Sequence, residues 1–287
     1  MKKLMSMLLS VFMLLCLCAC SDKDGQNEPQ PTQPIENDDP EIYTKEDGKL
    51  KMEVSYNSNG LLFSTIIYEY DGAGNVIKEA EFGINDAPAG YNSYEYDDKG
   101  RKTLLVSYLA VNDEEYSEEY RTSYEYDESG KLIKAVSTMD GKTVSVTEYE
   151  YKNGLCVSEK NYEGESFVIS EYKYEYDDSD RISRCVRIDH IEGDTTENRY
   201  TYTSDGLLLA DLSYGTDGKV ISRTEYSYDD NGNAVKLSVY NAMGEPMSST
   251  LKEYTYDDLG NIKRCVVTHS DGSKGTTTEY KWEYSKG

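Results

Sequence analysis

From about residue 50 onward the chain is a succession of short runs in which apolar and polar side chains alternate, each closed by a turn rich in Gly, Asp or Asn. Period-two alternation places successive side chains on opposite faces of an extended strand. The strongest recurring signal is Tyr-x-Tyr, at Tyr68/Tyr70, Tyr94/Tyr96, Tyr124/Tyr126, Tyr149/Tyr151, Tyr174/Tyr176, Tyr200/Tyr202, Tyr226/Tyr228 and Tyr254/Tyr256, with Trp282/Tyr284 closing the series. The pairs recur every 25 to 30 residues. Such self-similarity marks a repeat architecture. Both rings of a pair belong on one face.

Each unit reads as two strands and two turns. Gly follows the second Tyr by four positions at Gly74, Gly100, Gly130, Gly206, Gly232 and Gly260, whereas Gly154 comes one residue early and Asp180 stands in the fifth unit. Asp caps this first turn and Gly takes its left-handed position. An apolar strand follows, as in Lys131 to Val136, then a second turn such as Asp140-Gly141, Glu192-Gly193 or Asp271-Gly272. Pro88 and Pro246 fall in second turns, where no ladder donor is lost. Two further strands, Leu50 to Tyr56 and Leu61 to Tyr70, precede the first full unit. The fold expected is all-β: a continuous antiparallel meander of about eighteen strands. Strand twist bends so wide a sheet into a superhelical ribbon or an open barrel-like shell.

Composition adds a constraint on the core. Twenty-eight Tyr stand against four Phe and one Trp. Tyrosine suits a pleated surface with its ring half-buried and its hydroxyl wet, so a thin sheet, wet on both sides, is expected. The formal charge is −24. That sign repels phosphate backbones and sets nucleic acid aside as a partner. Cys156, Cys185 and Cys265 lie on separated units and read as three small apolar side chains.

The first forty residues are different in kind. Lys2 and Lys3 precede a mostly apolar stretch from Leu4 to Leu17, too short to cross a bilayer and typical of a secretory leader spanning residues 1–19. Leu17-Cys18-Ala19-Cys20 resembles the lipobox of bacterial lipoproteins, which implies lipid on Cys20 and a membrane as partner through that anchor. Residues 20–40 hold Pro29, Pro31, Pro34 and Pro40 among polar residues and read as a disordered tether, leaving 41–287 as the repeat domain. Ser21-Asp22-Lys23-Asp24 is similar to acidic export signals of Bacteroidetes-type surface lipoproteins. That likeness implies the outer membrane, at the cell surface or on the periplasmic face.

The repeat itself resembles the YD, or Rhs-type, repeats of bacterial surface and toxin proteins, whose signature is Tyr-x-Tyr-Asp-x-x-Gly before an apolar strand. Tyr226 to Gly232 and Tyr254 to Gly260 match it in full. In that family long arrays form a shell around a toxin. This array is too short for that, so a short surface lipoprotein without toxin delivery is what the resemblance implies.

Chemistry is sparse. His190 and His269 are the only histidines, and neither supplies a triad base or a paired metal site. No catalytic residues and no cofactor are expected. Weak calcium binding at Asp-rich turns such as Asp177 to Asp180 competes with plain turn capping, since a calcium site needs six to eight oxygens. Lys78, Lys134, Arg184, Lys236 and Arg264 face Glu69, Glu95, Glu125, Glu150 and Glu175 as a cross-strand charge ladder, or as a cationic strip for an anionic ligand. Tyr70, Tyr96, Tyr126, Tyr151, Tyr176, Tyr202, Tyr228, Tyr256 and Trp282 are candidates to stack on a glycan or an extended protein ligand, or else form the sheet's own core. The function expected is a non-catalytic binding or scaffolding module, with a purely structural spacer or a glycan-active enzyme as alternatives.

Overall fold

The computed structural model describes residues 48–112 and 115–284. The leader, Cys20 and the tether expected over residues 20–40 lie outside the described residues. Eighteen antiparallel strands follow one another in chain order. The first nine are β1 (Gly48–Tyr56), β2 (Leu62–Tyr70), β3 (Val76–Phe82), β4 (Pro88–Tyr96), β5 (Lys102–Ala110), β6 (Tyr116–Tyr126), β7 (Leu132–Met139), β8 (Lys142–Lys152) and β9 (Leu155–Glu163). The others are β10 (Phe167–Tyr176), β11 (Ile182–Asp189), β12 (Thr195–Tyr202), β13 (Leu208–Tyr214), β14 (Val220–Tyr228), β15 (Ala234–Asn241), β16 (Pro246–Tyr256), β17 (Ile262–His269) and β18 (Lys274–Tyr284). One 3₁₀ turn, Ile84–Asp86, is the sole helical segment among the described residues.

The meander closes. β1 pairs with β2 on one side and with β18 on the other, from Gly48↔Tyr284 to Tyr56↔Thr277. The sheet is therefore a barrel, where the sequence left ribbon and open shell as alternatives. The reason lies in a device that recurs in every repeat. Where each even strand meets the next odd strand, the register slips by one residue: Glu69 faces Lys78 but Tyr70 faces Val76, and Glu175 faces Arg184 but Tyr176 faces Ile182. A bulge of this kind bends its strand and increases local twist. The seam carries the same slip, with Lys281 opposite Met52 and Trp282 opposite Leu50. The unpaired half-units at the two ends of the array thus complete one another as a ninth unit. Equal bends at equal intervals give a closed ring with no free edge.

The turns follow the sequence reading closely. Asp180 adopts φ 58°, the left-handed conformation that glycine holds in the other units. The early Gly154 belongs to a two-residue hairpin in which Asn153 (φ 52°) and Gly154 (φ 93°) are both left-handed, as an Asn-Gly hairpin demands. Pro88 and Pro246 stand just after their turns, as the first residues of β4 and β16 beside a register slip. Both positions tolerate a missing N–H.

Eight strands already give a bore that side chains fill, so eighteen leave each face without an opposite wall to pack on. Burial agrees with that geometry. The most enclosed side chains are small: Thr122 is 0% exposed and Ser170 1%, with Val106, Ala135, Val146, Cys185 and Cys265 also buried. They are sheltered by taller neighbours within the wall. Paired polar groups tie adjacent strands, as in Thr122 Oγ1 to Ser137 Oγ at 2.8 Å and Ser107 Oγ donating to Asn92 Oδ1 at 2.6 Å. None of Cys156, Cys185 and Cys265 forms a disulfide among the described residues.

Closure is directly testable at the seam, where Ser55 and Thr278 are paired and their hydroxyls lie 3.1 Å apart. Replacing both by cysteine is expected to give a disulfide on mild oxidation, seen as a faster band on a non-reducing gel and as one linked peptide by mass spectrometry. An open ribbon would leave both thiols alkylatable.

Candidate functional site

Antiparallel order sends every turn after an even strand to one end of the barrel and every turn after an odd strand to the other. The first end is the Asp rim and carries the Tyr-x-Tyr-Asp turns. Gly48 and Tyr284, the outermost described residues, face each other there.

At the Asp rim the ladder is incomplete. An odd strand pairs with the even strand before it from its second residue past the turn, but with the even strand after it only from the fourth. For β3 these are Val76↔Tyr70 and Lys78↔Ser93. The second-position carbonyl is thus left open on one side. A ring donor from the following even strand fills it. Tyr70 donates to Leu50 O, Tyr96 to Val76 O, Tyr126 to Lys102 O, Tyr151 to Leu132 O and Tyr176 to Cys156 O. Tyr202 donates to Ile182 O, Tyr228 to Leu208 O, Tyr254 to Ala234 O, and the Trp282 indole N–H to Ile262 O. The distances run from 2.5 to 3.2 Å. In the last two units, spaced 28 residues apart, the first ring of the pair takes this task. Tyr256 and Tyr284 reach one turn further, to the Asp229 and Asp257 carboxylates.

The residues expected to stack on ligands are therefore parts of the wall. None of Tyr70, Tyr96, Tyr126, Tyr151, Tyr176, Tyr202, Tyr228, Tyr256 and Trp282 is fully exposed. Four have a ring face beneath a cation from the preceding turn: Lys49 over Tyr70, Arg101 over Tyr126, Lys131 over Tyr151 and Arg181 over Tyr202, at 4.6 to 5.6 Å. The donor role was invisible in the sequence because the acceptor is main chain about twenty residues upstream.

The first ring of several pairs has a different partner. Tyr68, Tyr94, Tyr174 and Tyr226 donate to Glu53, Glu79, Glu159 and Asp211 on the preceding odd strand. Burial pushes the Asp211 carboxyl up from the ordinary aspartate value, against the Tyr226 hydrogen bond that lowers it. Tyr226 is itself pushed up to about 12, first by burial and then by the Asp211 charge.

The first Asp of each Asp-rich turn is engaged by donors. Asp177 Oδ1 accepts from the backbone N–H of Ser179 and Arg181, and its Oδ2 accepts from Arg181 Nε. Asp97 repeats the arrangement with Lys99 and Arg101. The guanidinium first, and the backbone donors after it, hold both carboxyls below the usual range. In these two turns a guanidinium pairs with the carboxylate, and no group of three or more His, Cys, Asp or Glu side chains placed to hold a metal occurs among the described residues.

The charge ladder forms in part. Lys78 meets Glu69 at 3.7 Å, and Arg184 bridges Glu175 and Glu197 at 2.5 and 2.6 Å. Lys134 faces Glu125 in register but pairs with Glu148 at 3.6 Å. Lys236 stands between Ser227 and Leu251, and Arg264 between Thr255 and Glu279. Half-exposed pairs of this sort contribute about 0.2–1 kcal/mol each. A depression of about 250 Å³ gathers Glu125, Glu148 and Glu150, with Lys134 among them. His190 and His269 both lie by turns of the opposite rim.

That opposite end is unlike the Asp rim. Its turns vary from two residues at Asp140-Gly141 to five at Gly83–Ala87 and Gly215–Lys219, whereas all Asp-rim turns but the Asn153-Gly154 hairpin span five. Of the fifteen large apolar residues exposed among the described residues, all but Ile133, Leu209 and Leu251 sit in or within three residues of its turns. Leu61, Ile191, Met247 and Met243 are 64%, 63%, 66% and 78% exposed. Sequence reading treated these turns only as reversals. Their apolar tips were the available signal.

Removing one latch hydroxyl, as in Tyr202→Phe, is expected to cost about 0.5–1.5 kcal/mol in urea unfolding while leaving the far-ultraviolet spectrum unchanged, because the Ile182 carbonyl loses its donor. A cost near zero would remove the latch from the account. Asp211 tests the wall's polar pairs by pH. Its folded pKa lies above the ordinary 3.8, so the ionised form opposes folding at neutral pH and that opposition vanishes as pH falls through the folded value. Asp211→Asn is expected to melt above the wild type at pH 7, with the gap closing toward pH 4. A gap that widened on acidification would reverse the sign.

No family model matches the sequence, and no curated protein matches it. Among solved structures, a porin-like protein from Bacteroides uniformis is similar at 14% identity over 82% of this chain and 96% of that one, with a TM-score of 0.31. A porin-like protein from Bacteroides vulgatus is similar at 12% identity over 82% and 98%, with a TM-score of 0.33. The Tc holotoxin pore of Photorhabdus luminescens is similar at 13% identity over 79% of this chain and 18% of that one, with a TM-score of 0.23.

Proposed function

We propose that this chain is a non-catalytic barrel of the bacterial cell envelope, held to the outer membrane by lipid on Cys20 and acting as a binding or scaffolding module. The observation that carries the reading is the use of its polar side chains. The repeated tyrosines, turn aspartates and much of the charge ladder are engaged in closing the wall. A depression that gathers several carboxylates holds Lys134, 3.6 Å from Glu148, where a glycosidase would need an acid and a base facing a sugar.

The barrel sits beside the membrane in this reading and does not span it. A lipid-facing strand presents an apolar residue at every second position. One face of this wall carries Glu69, Glu95, Glu125, Glu150 and Glu175, and the other carries Glu53, Glu79, Glu159, Asp211 and the tyrosine hydroxyls. On a lipid-facing strand such carboxylates are destabilising near the bilayer midplane, though less so than lysine or arginine. An acyl anchor therefore supplies the membrane attachment that the wall cannot.

Metabolic labelling with an alkyne fatty acid is expected to mark the wild-type chain and to leave Cys20→Ala unlabelled. Label retained on the variant would place the anchor elsewhere. Screening the chain from Ser21 onward on glycan and peptide arrays tests the binding half; no ligand of either class would leave only a structural spacer.

A further inference from the structure

The rim opposite the Asp rim has features the wall does not explain. Its turns vary in length, and in repeat architectures variable loops on one side often form the binding face. It also concentrates exposed apolar residues: Leu61, Ile84, Phe167, Ile191, Met243 and Met247 are each at least 58% exposed. A concentration of exposed apolar side chains along one rim, where elsewhere they occur singly, points to an interaction surface. Eighteen strands at about 4.8 Å make a rim roughly 85 Å around, and a wall about 10 Å thick gives on the order of 800 Å², one partner's share of a standard specific interface.

Charge selects the occupant. Asp86, Glu165, Glu192 and Asp271 stand in the same turns. The cations nearby are Lys142, Lys219 and Lys274, and Lys219 is neutralised by Asp217 at 2.7 Å. Two such rims face to face would repel, as would an anionic membrane surface. Gly48 and Tyr284 meet at the other end, so the described chain enters and leaves away from this surface.

We propose that this apolar, acidic rim is the docking surface for a protein segment that presents apolar residues set among lysines and arginines. The inference rests on the binding-module reading and names its surface and partner class. Complementary charge would steer the encounter, and the Met, Ile and Phe side chains would supply the buried contact.

The test uses the chain from Ser21 onward, which retains every strand of the barrel, and a fluorescein-labelled fourteen-residue amphipathic peptide of Leu and Lys. A peptide with Glu in place of Lys is the control. By anisotropy the Leu/Lys peptide is expected to bind at least tenfold more tightly than its Glu counterpart. Combining Ile191→Gln, Met243→Gln and Met247→Gln, which changes no charge, is expected to raise its Kd tenfold or more. A second variant, Asp86→Asn with Glu165→Gln and Glu192→Gln, is expected to weaken binding severalfold and flatten its salt dependence, independently of the first. Equal binding by wild type and both variants would overturn the proposal by placing the peptide on the acidic wall, while leaving the binding-module reading intact. No binding of the peptide at all would also overturn it, and the glycan arrays would then decide the broader reading. Two further outcomes count against it: a dimer in sedimentation velocity that the apolar variant dissolves would assign the rim to a second copy. Flotation with phosphatidylcholine vesicles, lost in that variant, would assign it to lipid.

Discussion

Nine times around the barrel a ring N–H or O–H fills a backbone carbonyl that the ladder leaves open. The opening is not a local accident. Each odd strand pairs with its two neighbours from different starting points, and the bulge that creates this offset also bends the wall. Curvature and an unsatisfied acceptor therefore arise from the same feature. A carbonyl without a donor costs roughly 1–3 kcal/mol when it is shielded from water, whereas the completed bond is worth about 1. The closed shape consequently depends on a side chain long enough to cross to the next strand and able to donate at its tip.

That requirement accounts for the composition. Phenylalanine would fill the same space but has no donor, and the chain has 4 Phe against 28 Tyr. The lone Trp occupies a latch position, and its indole N–H bonds Ile262 O as a tyrosine hydroxyl would. With no thick core, stability is distributed along the ladders, the nine latches and short polar pairs between neighbouring strands. Repeats joined only to their neighbours behave approximately as a linear array. Here the pairing of β1 with β18 removes the two ends, where fraying would otherwise begin.

Much of this was legible before any coordinates. Tyr-x-Tyr spacing and the glycine four residues later located the turns, and strand number followed from turn chemistry; even Asp180 in a glycine's place read correctly, because Asp reaches the left-handed region. Closure was not legible, since it is a sum over nine small bends and no single residue encodes the bulge. The tyrosines were read by their rings, as stacking platforms or core, while the decisive atom is the hydroxyl and its partner is main chain. A nearly constant offset of twenty residues between ring and acceptor is a pattern that only the pairing register makes meaningful. At the Asp177 turn, likewise, the capping role was legible, but the pairing of its carboxylate with Arg181 four residues on was not.

The two ends of the barrel now differ for a physical reason. At the Asp rim each turn stands beside a bulge and a carbonyl that the next ring fills, so its chemistry is tied to closure. A substitution there disturbs the latch of the neighbouring repeat as well as its own. At the other rim the turns range from the Asp140-Gly141 hairpin to the Ile84–Asp86 3₁₀ turn, and the barrel closes across all of them. With no ring latch to align there, Met243, Ile191 and Phe167 stand in solvent. The docking surface proposed above therefore falls on the rim that carries no ring latches.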